Sequence, residues 1–398
     1  MITDCADLSR LDPAPLPTTD AQPVRVLHII PALGQGGAER LLAELLARGA
    51  GRVRHSVLTL LDQPPFFDLG NTAIASLGLR RGQVSPAALL RAASALRAAA
   101  PDLIHAWLYH GNLLSALLPR RRGIPVLWSI HNTTLPADGA KAMTRLVNRL
   151  CAHLSHRVPW RIVYCAEAAR TQHEETFGYD RARGVVVENG VDFAAFAFDP
   201  ARRVALRAAW GLEPGALAIG CVGRFDPQKD HATVLGAVSR LEGERARLVL
   251  AGAGCSMDNP ALVALLRDAG LMDRTLVLGP VADMPGLLSA LDLLVIGSAF
   301  GEALPMVGLE AAASGLPVVA TAVGSVAELV LDPAHLVPPR DPAALAAAIL
   351  AALPLADLQR PSPAAEARRE NLLRTHDIAT TVARYHDLYR AGAAARPG

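Results

Sequence analysis

The chain reads as an α/β protein of two doubly wound, Rossmann-like domains facing a central cleft. Three observations carry that reading. Short apolar runs rich in Val, Ile and Leu alternate with segments of helical spacing along nearly all of the 398 residues, the pattern of a parallel sheet covered on both faces. The alternation runs once, loses its period over residues 189–200 and then starts again. The length suits two domains of roughly 150–200 residues better than one.

The first series opens with VRVLHII (residues 24–30), a glycine-bearing loop over 31–37 and a helix over 38–48, the strand, turn and helix that begin a βαβ unit. Strands are expected at 55–60, 103–107, 125–130, 161–165 and 184–188, and helices at 86–99, 111–118 and 141–156. The second series places strands at 217–222, 247–251, 275–278, 293–296 and 317–321. Its helices fall at 231–241, 260–269, 284–290 and 305–313. A last helix over 364–390, approached through Pro361 and Pro363, is expected to cross back onto the first domain. The expected division is a leader over 1–22, a first domain over 23–195, a second over 196–363, the crossing helix over 364–390 and a tail over 391–398.

Bulk properties exclude some classes. The net charge of +2 gives no reason to invoke a nucleic-acid partner, which calls for a strong basic excess. Five scattered cysteines without metal-ligand spacing, and a leader with no basic region feeding an apolar segment, read as a reducing, cytoplasmic compartment. No stretch reaches the roughly 20 apolar residues of a membrane span. The 141–161 segment places Lys141, Arg145, Arg149, His153, Arg157 and Arg161 at four-residue steps. Met143, Leu146, Val147, Leu150 and Leu154 are expected to pack inward. That face is either a solvated surface or a contact with an anionic membrane or a lipid diphosphate.

Ligands of doubly wound sheets sit beyond the carboxyl ends of the strands, so loops there hold the candidate site. GQGGAER (residues 34–40) is not a dinucleotide fingerprint, since its glycines fall at 34, 36 and 37. It is either a packing turn or backbone that approaches a phosphate at a helix start. GRFDPQKD (residues 223–230) brings Arg224 and Lys229 together. They either neutralise a diphosphate or pair with Asp226 and Asp230, and Asp230 also has the position of a helix N-cap. GEALPMVGLE (residues 301–310) sets Glu302 in a loop and Glu310 on the following helix. They are either two solvated glutamates at a helix start or carboxylates that accept from vicinal hydroxyls, beside a helix start that attracts a phosphate. His110 and His131 follow apolar strands and can donate to a sugar or phosphate. His105 sits inside its strand and reads as a core residue. No metal site is expected from these histidines.

Together LHIIPALGQGGAER, SIHNTT, ENGVD, GRFDPQKDH, AGAG and the segment from LGPVADMPGLL to VVATAVG resemble a retaining glycosyltransferase of family 4, with the GT-B fold. HAWLYHGNLLSALL is similar to its polysaccharide and cell-surface glycan branch. The resemblance covers roughly residues 23–390. It implies transfer of a hexose or N-acetylhexosamine from a nucleotide diphosphate sugar, UDP or GDP, to a glycan or lipid-diphosphate-linked acceptor, without a metal. It implies Gly36 and Gly37 near the donor phosphate and acceptor, His131 near the transferred sugar and His110 as a further first-domain contact. Arg224 and Lys229 match the cations on the diphosphate, Glu302 the carboxylate facing the sugar, Glu310 that on the ribose, and Leu304 and Pro305 backbone contacts. Where the family has EGFP, this chain has EALP. A nucleotide-sugar epimerase and a sugar-nucleotide-binding regulator that has lost turnover are the alternatives.

Overall fold

The computed structural model describes residues 22–49, 51–80, 83, 85–119, 123–136, 141–241, 245–356 and 362–395. The expected leader, residue 22 apart, lies outside them. The first sheet is built from β1 (Val24–Ile30), β2 (Val53–Leu61), β3 (Ala73–Leu79), β4 (Leu103–Trp107), β5 (Val126–Ile130), β6 (Arg161–Tyr164) and β7 (Gly184–Val186). Its order is β3-β2-β1-β4-β5-β6-β7, and every pairing is parallel. Connecting helices are α1 (Gly37–Arg48), α2 (Pro86–Ala99), α3 (Leu108–Leu117), α4 (Ala142–Ser155) and α5 (Glu167–Thr171), the last running into a π-helical stretch, Gln172–Thr176. All side chains of β4 and β5 are buried, which is why these central strands are mostly apolar, and their polar members, His105 and Ser129, bond each other.

The second sheet follows α6 (Pro200–Ala209). It comprises β8 (Leu217–Val222), β9 (Ala246–Ala251), β10 (Thr275–Gly279), β11 (Leu293–Ile296), β12 (Val318–Thr321) and β13 (Leu336–Val337), in the parallel order β10-β9-β8-β11-β12-β13. Its helices are α7 (His231–Val238), α8 (Pro260–Asp268), α9 (Met284–Ala290), α10 (Met306–Ala313) and α11 (Pro342–Ala356). In each sheet the strand order reverses once, between β1 and β4 and between β8 and β11, which leaves a crevice at the carboxyl ends.

The expected crossing helix is two helices, α12 (Pro363–His376) and α13 (Ile378–Ala394). Asp377 interrupts them because its backbone bridges Val191 while its carboxylate caps α13 by accepting from Ala379 N–H. Two chain crossings therefore lie side by side, with Val191 N–H donating to His376 C=O and Ile378 N–H to Val191 C=O. Gly190 permits that approach, since a Cβ there would stand 2.8 Å from Ile378 Cα. Tyr385 and Tyr389 of α13 are wholly buried against β1 and β4. The helix continues to Ala394, into the segment expected as a tail.

Other differences have physical causes. Strand β3 is mostly exposed and built from residues of weak β preference. Helix α11 is alanine-rich and apolar all round, so it shows no period. Helix α6 has no buried residue; Arg203 and Arg207 instead tie it to Asp292, which is 5% exposed and also accepts from Ala218 N–H. Helix α4 is rolled from its expected face. Val147, Asn148, Cys151, Ala152 and Ser155 point inward, while Met143, Leu146 and Leu150 are exposed at 56%, 49% and 44%. The polar members are satisfied there: Tyr179 donates to Asn148 Oδ1 at 2.8 Å, and Cys151 Sγ reaches Tyr109 C=O.

Removing the carboxylate leaves two partly buried guanidinium groups without a counter-charge, held by the carbonyls of Ala216, Ser289, Ala290 and Leu291. Asp292→Ala is expected to destabilise the second domain by about 3–5 kcal/mol, read from chemical denaturation. A loss within experimental error would show that the carbonyl contacts of Arg203 and Arg207 hold α6 without the ion pairs.

Candidate functional site

The carboxyl ends of both sheets face one cleft of about 330 Å³. From the first domain come the loop after β1 with the start of α1, Leu108 after β4, and His131 and Asn132 after β5. From the second come Gly223–Lys229 after β8, Glu302–Pro305 after β11, and the first turns of α10. The two walls are joined at the site itself. Asn132 and Glu302 form an antiparallel bridge, Thr133 N–H donates to Gly301 C=O at 3.2 Å, and Thr133 Oγ1 donates to Glu302 C=O at 2.7 Å. Gly301 N–H donates in turn to Thr134 Oγ1 at 2.9 Å. Behind the loop, Gly324 adopts φ +67°, and a Cβ there would fall 2.1 Å from Glu302 C=O, so glycine alone fits beneath it.

Glu302 is 7% exposed. Its Oε1 accepts from Lys229 Nζ at 2.5 Å and from Ser298 Oγ at 2.7 Å. The alternative left open by the sequence, pairing of the basic loop with its own aspartates, is not what forms. Asp226 accepts from Gln228 N–H, and Asp230 caps α7 by accepting from Thr233. Lys229 thus answers a buried carboxylate of the neighbouring loop on the same wall, while Arg224 stays exposed at the mouth of the cleft.

Two helix starts meet in the cleft. A Cβ on Gly37 at the head of α1 would lie 2.9 Å from Met306 at the head of α10. Such an arrangement favours a bound anion. Glu310 lies one turn into α10 and is 5% exposed. Burial raises its carboxyl to about 7, with Arg40 opposing and Glu44 reinforcing the rise. Glu39 folds back over Gly36 and is also raised, first by burial, with its own backbone N–H and Arg224 opposing.

His131 is held by a stack of rings. Trp107 lies parallel to it, with centroids 5.5 Å apart and 13° between planes. The Trp107 indole N–H donates to His28 Nδ1 at 3.2 Å, and His28 Nε2 faces His55 Nδ1 at 2.9 Å. Because an indole only donates, His28 carries its proton on Nε2 and passes a donor to His55. On the other side His105, wholly buried as expected, bonds Tyr389 and Ser129. Both ring nitrogens of His131 are buried and have no partner among the described residues, and burial lowers the imidazole to about 4. It is neutral at physiological pH and able to donate from one nitrogen and accept at the other.

Of the residues expected from the sequence, Gly36, Gly37, His131, Arg224, Lys229, Glu302, Leu304, Pro305 and Glu310 all line this cleft. His110 does not. The helix α3 begins directly after β4, and two residues of helix turn His110 about 200° away from Leu108, the residue that reaches the cleft. Ala303 is 2% exposed in the core behind the loop, so that part of the EALP variation alters packing, while Leu304, where the family has Phe, lines the cleft. Sequence reasoning missed Gln35, Glu39, Asn132, Asn189 and Gln228, although each lies within a quoted motif. The buried Gln35 Oε1 and Asn189 Oδ1 have no partner among the described residues. Phe66 and Phe67 carried no signal; they reach the cleft because Phe66 N–H bonds Leu33 C=O at 2.8 Å. Among the described residues, no group of three or more His, Cys, Asp or Glu is placed to hold a metal ion.

A carboxyl raised by burial contributes stability while protonated and loses it as pH climbs from the usual carboxylate range through about 7. Glu310→Gln is therefore expected to raise the melting temperature at pH 8, by a stability gain on the order of 3 kcal/mol, and to leave it unchanged near pH 4. Equal effects at both pH values would mean that Glu310 is not buried as a carboxylate.

Residues 35–195 match the family described as Glycosyltransferase Family 4, and residues 216–354 match Glycosyl transferases group 1. A putative glycosyltransferase EpsF of Bacillus subtilis (strain 168) is 30% identical over 308 residues, covering 74% of this chain and 78% of the relative. A D-inositol 3-phosphate glycosyltransferase of Salinispora arenicola (strain CNS-205) is 31% identical over 294 residues, covering 67% and 64%. The fold matches that of Anabaena Alr3699/HepE, crystallised with UDP and glucose, with TM-score 0.78 and 21% identity over 92% of this chain and all of that one (100%). WaaG, a glycosyltransferase involved in lipopolysaccharide biosynthesis, gives TM-score 0.70 and 17% identity over 92% and 99%. With its paired Rossmann-like domains in the GT-B arrangement, this chain belongs to glycosyltransferase family 4.

Proposed function

We propose that the cleft binds a nucleotide diphosphate sugar and transfers its hexose or N-acetylhexosamine, with retention at the anomeric carbon, to a hydroxyl of a glycan or lipid-linked glycan. The observation that carries this reading is the cationic loop Arg224–Lys229 converging with Glu302, Glu310 and His131 in one cleft between the domains. Arg224 and Lys229 take the diphosphate and stabilise the charge that grows on it as the glycosidic bond breaks. The N–H groups at the starts of α1, by Gly36 and Gly37, and of α10, by Leu304 and Pro305, add to that field. Glu310 accepts from the ribose hydroxyls. Glu302, held by Lys229 and Ser298, faces the sugar, and His131 bonds one of its hydroxyls.

The acceptor oxygen attacks the anomeric carbon on the face from which the diphosphate departs. A new carbon–oxygen bond forms, the old one breaks with its electron pair on the phosphate, and a phosphate oxygen takes the acceptor's proton. Glu302 is already engaged by two donors, so its place is to position the sugar. Closure of the cleft excludes water that would otherwise hydrolyse the donor. The proteins of similar fold crystallised with UDP and UDP-glucose favour a UDP-sugar over GDP. The exposed basic and apolar side of α4 favours work at the inner face of the cytoplasmic membrane.

A panel of UDP- and GDP-sugars with lipid-linked acceptors, read as acceptor-dependent nucleotide release, tests the reading. Binding without such release across the panel would favour a sugar-nucleotide-binding regulator. Lys229→Ala is expected to lower kcat/KM by about 10²–10³-fold, and unchanged kinetics at subsaturating donor would remove its diphosphate role. Ionised Glu310 is the form that accepts two hydroxyls. Donor affinity, measured by calorimetry with an intact nucleotide sugar, is thus expected to weaken below pH 7 by up to about tenfold per pH unit. Glu310→Gln should abolish that dependence; a wild-type affinity flat from pH 8 to 6 would contradict the ribose role.

A further inference from the structure

His376 closes α12 at the point where the chain crosses between the domains, and it is 1% exposed. Both nitrogens of its ring meet a partner. Nδ1 lies 2.9 Å from the Asn189 carbonyl oxygen, and Nε2 lies 3.3 Å from a carboxylate oxygen of Glu328. A carbonyl only accepts, and so does a carboxylate. A ring that bonds both must donate from both nitrogens, which makes it an imidazolium. Glu188 brings a second carboxylate to 3.7 Å from Nδ1. Burial works against the charge, but the bonds to Glu328 and Asn189 and the nearby charges of Glu328 and Glu188 hold the imidazole above its ordinary value.

The charged groups around the ring come from several elements. Glu188 belongs to the crossing segment after β7, and Glu328 to a short 3-10 turn, Val326–Leu329. Arg384 of α13 and Glu167 of α5 act on Glu188. Burial raises that carboxyl, His376 and Arg384 oppose the rise, and Glu328 and Glu167 reinforce it.

Each partner of His376 leads to the cleft. Asn189 is 4% exposed and lines it. The same segment is gripped from α13, where Thr381 Oγ1 donates to Glu188 C=O at 2.9 Å. The turn that carries Glu328 follows Gly324, which lies beneath Glu302, and Ser325, whose N–H donates to Ala303 C=O at 2.7 Å. Arg368, also on α12, donates to the carbonyls of Leu329 and Leu316, which fixes α12 to the second domain. His376 thus ends a helix of one domain and holds the segment that enters from the other.

We propose that His376 is a positioning residue for the transfer reaction, its imidazolium tying Asn189 to Glu328 and so keeping the crossing segment in register with the Glu302 loop. The inference rests on the glycosyl-transfer reading above and adds to it a residue outside the cleft. Loss of the ring proton removes the donor to Glu328 and leaves a lone pair facing a carboxylate. A histidine raised in the fold contributes its stability in full below the ordinary value of 6.5 and loses it as pH climbs through the folded value. The tie is therefore strongest near about pH 6 and weakens towards about pH 9.

The test uses the full chain and Glu328→Ala, which keeps His376 and alters a side chain that is 39% exposed. In nitrogen NMR of histidine-labelled protein, the His376 signal is the one missing from His376→Gln. It is expected to show protons on both nitrogens at pH 6 and to lose one at a lower pH in Glu328→Ala than in the wild type. Coincident titrations overturn the inference. Glu328→Ala is expected to melt below the wild type at pH 6 and together with it at pH 9; an equal deficit at both also overturns it. With donor and acceptor saturating, the wild type is expected to exceed Glu328→Ala in kcat by about tenfold at pH 6, and the ratio should approach one at pH 9. Taking the ratio cancels groups common to both proteins, Glu310 among them. A ratio independent of pH, or an effect confined to the donor KM, overturns the positioning role. Absence of transfer by the wild type with every donor overturns the glycosyl-transfer reading instead, and the NMR and melting results then decide the tie by themselves.

Discussion

The burial of Glu302 is the constraint around which the site is arranged. A carboxylate 7% exposed loses several kcal/mol of hydration unless donors replace the water. Two are supplied, one by Ser298 at the end of β11 and one by Lys229 from the loop after β8. The same residue's backbone carries the bridge to Asn132 and Thr133 of the other domain. One residue thereby joins the two sheets, fixes the basic loop and aims a carboxylate at the cleft. Gly324 beneath it and Gly301 beside it are the backbone conditions that let the loop lie so close.

A second set of contacts makes the two domains one unit. The crossings at Gly190–Val191 and His376–Ile378 exchange backbone hydrogen bonds, and α13 then returns to the first domain, where Tyr389 bonds His105. From there a sequence of packed rings leads through Trp107 to His131. The carboxyl-terminal helix thus supports the wall that faces the sugar in the proposed reaction. Stacking sets the orientation of His131, whose ring nitrogens have no partner among the described residues.

Much of this was legible in the sequence for a physical reason. Strands buried on both faces are mostly apolar, so β1, β4, β5, β8 and β11 announced themselves, and the loops after them were the places to seek chemistry. Glu302, Glu310, Arg224, Lys229 and His131 follow from that logic. What stayed hidden was whatever lacks a period or depends on tertiary choice. The exposed β3 and the uniformly apolar α11 have no alternation to read. Asp377 looks like any polar residue until the bridge to Val191 is seen. On α4 the leucines were expected inward, but polar partners at Tyr179 and Tyr109 made the Asn148 and Cys151 face the better one to bury. His110 was misplaced because a helix starts directly after β4, a boundary that apolar spacing does not mark.

The account's central claim is that one cleft, built on Glu302, receives the nucleotide diphosphate sugar. A crystal structure of the chain with an intact UDP-sugar tests this most directly. The account predicts the diphosphate within hydrogen-bonding distance of Arg224 and Lys229, the ribose on Glu310 and the sugar between Glu302 and His131. A nucleotide bound in the same cleft with its ribose away from Glu310, or bound outside the cleft, would contradict it.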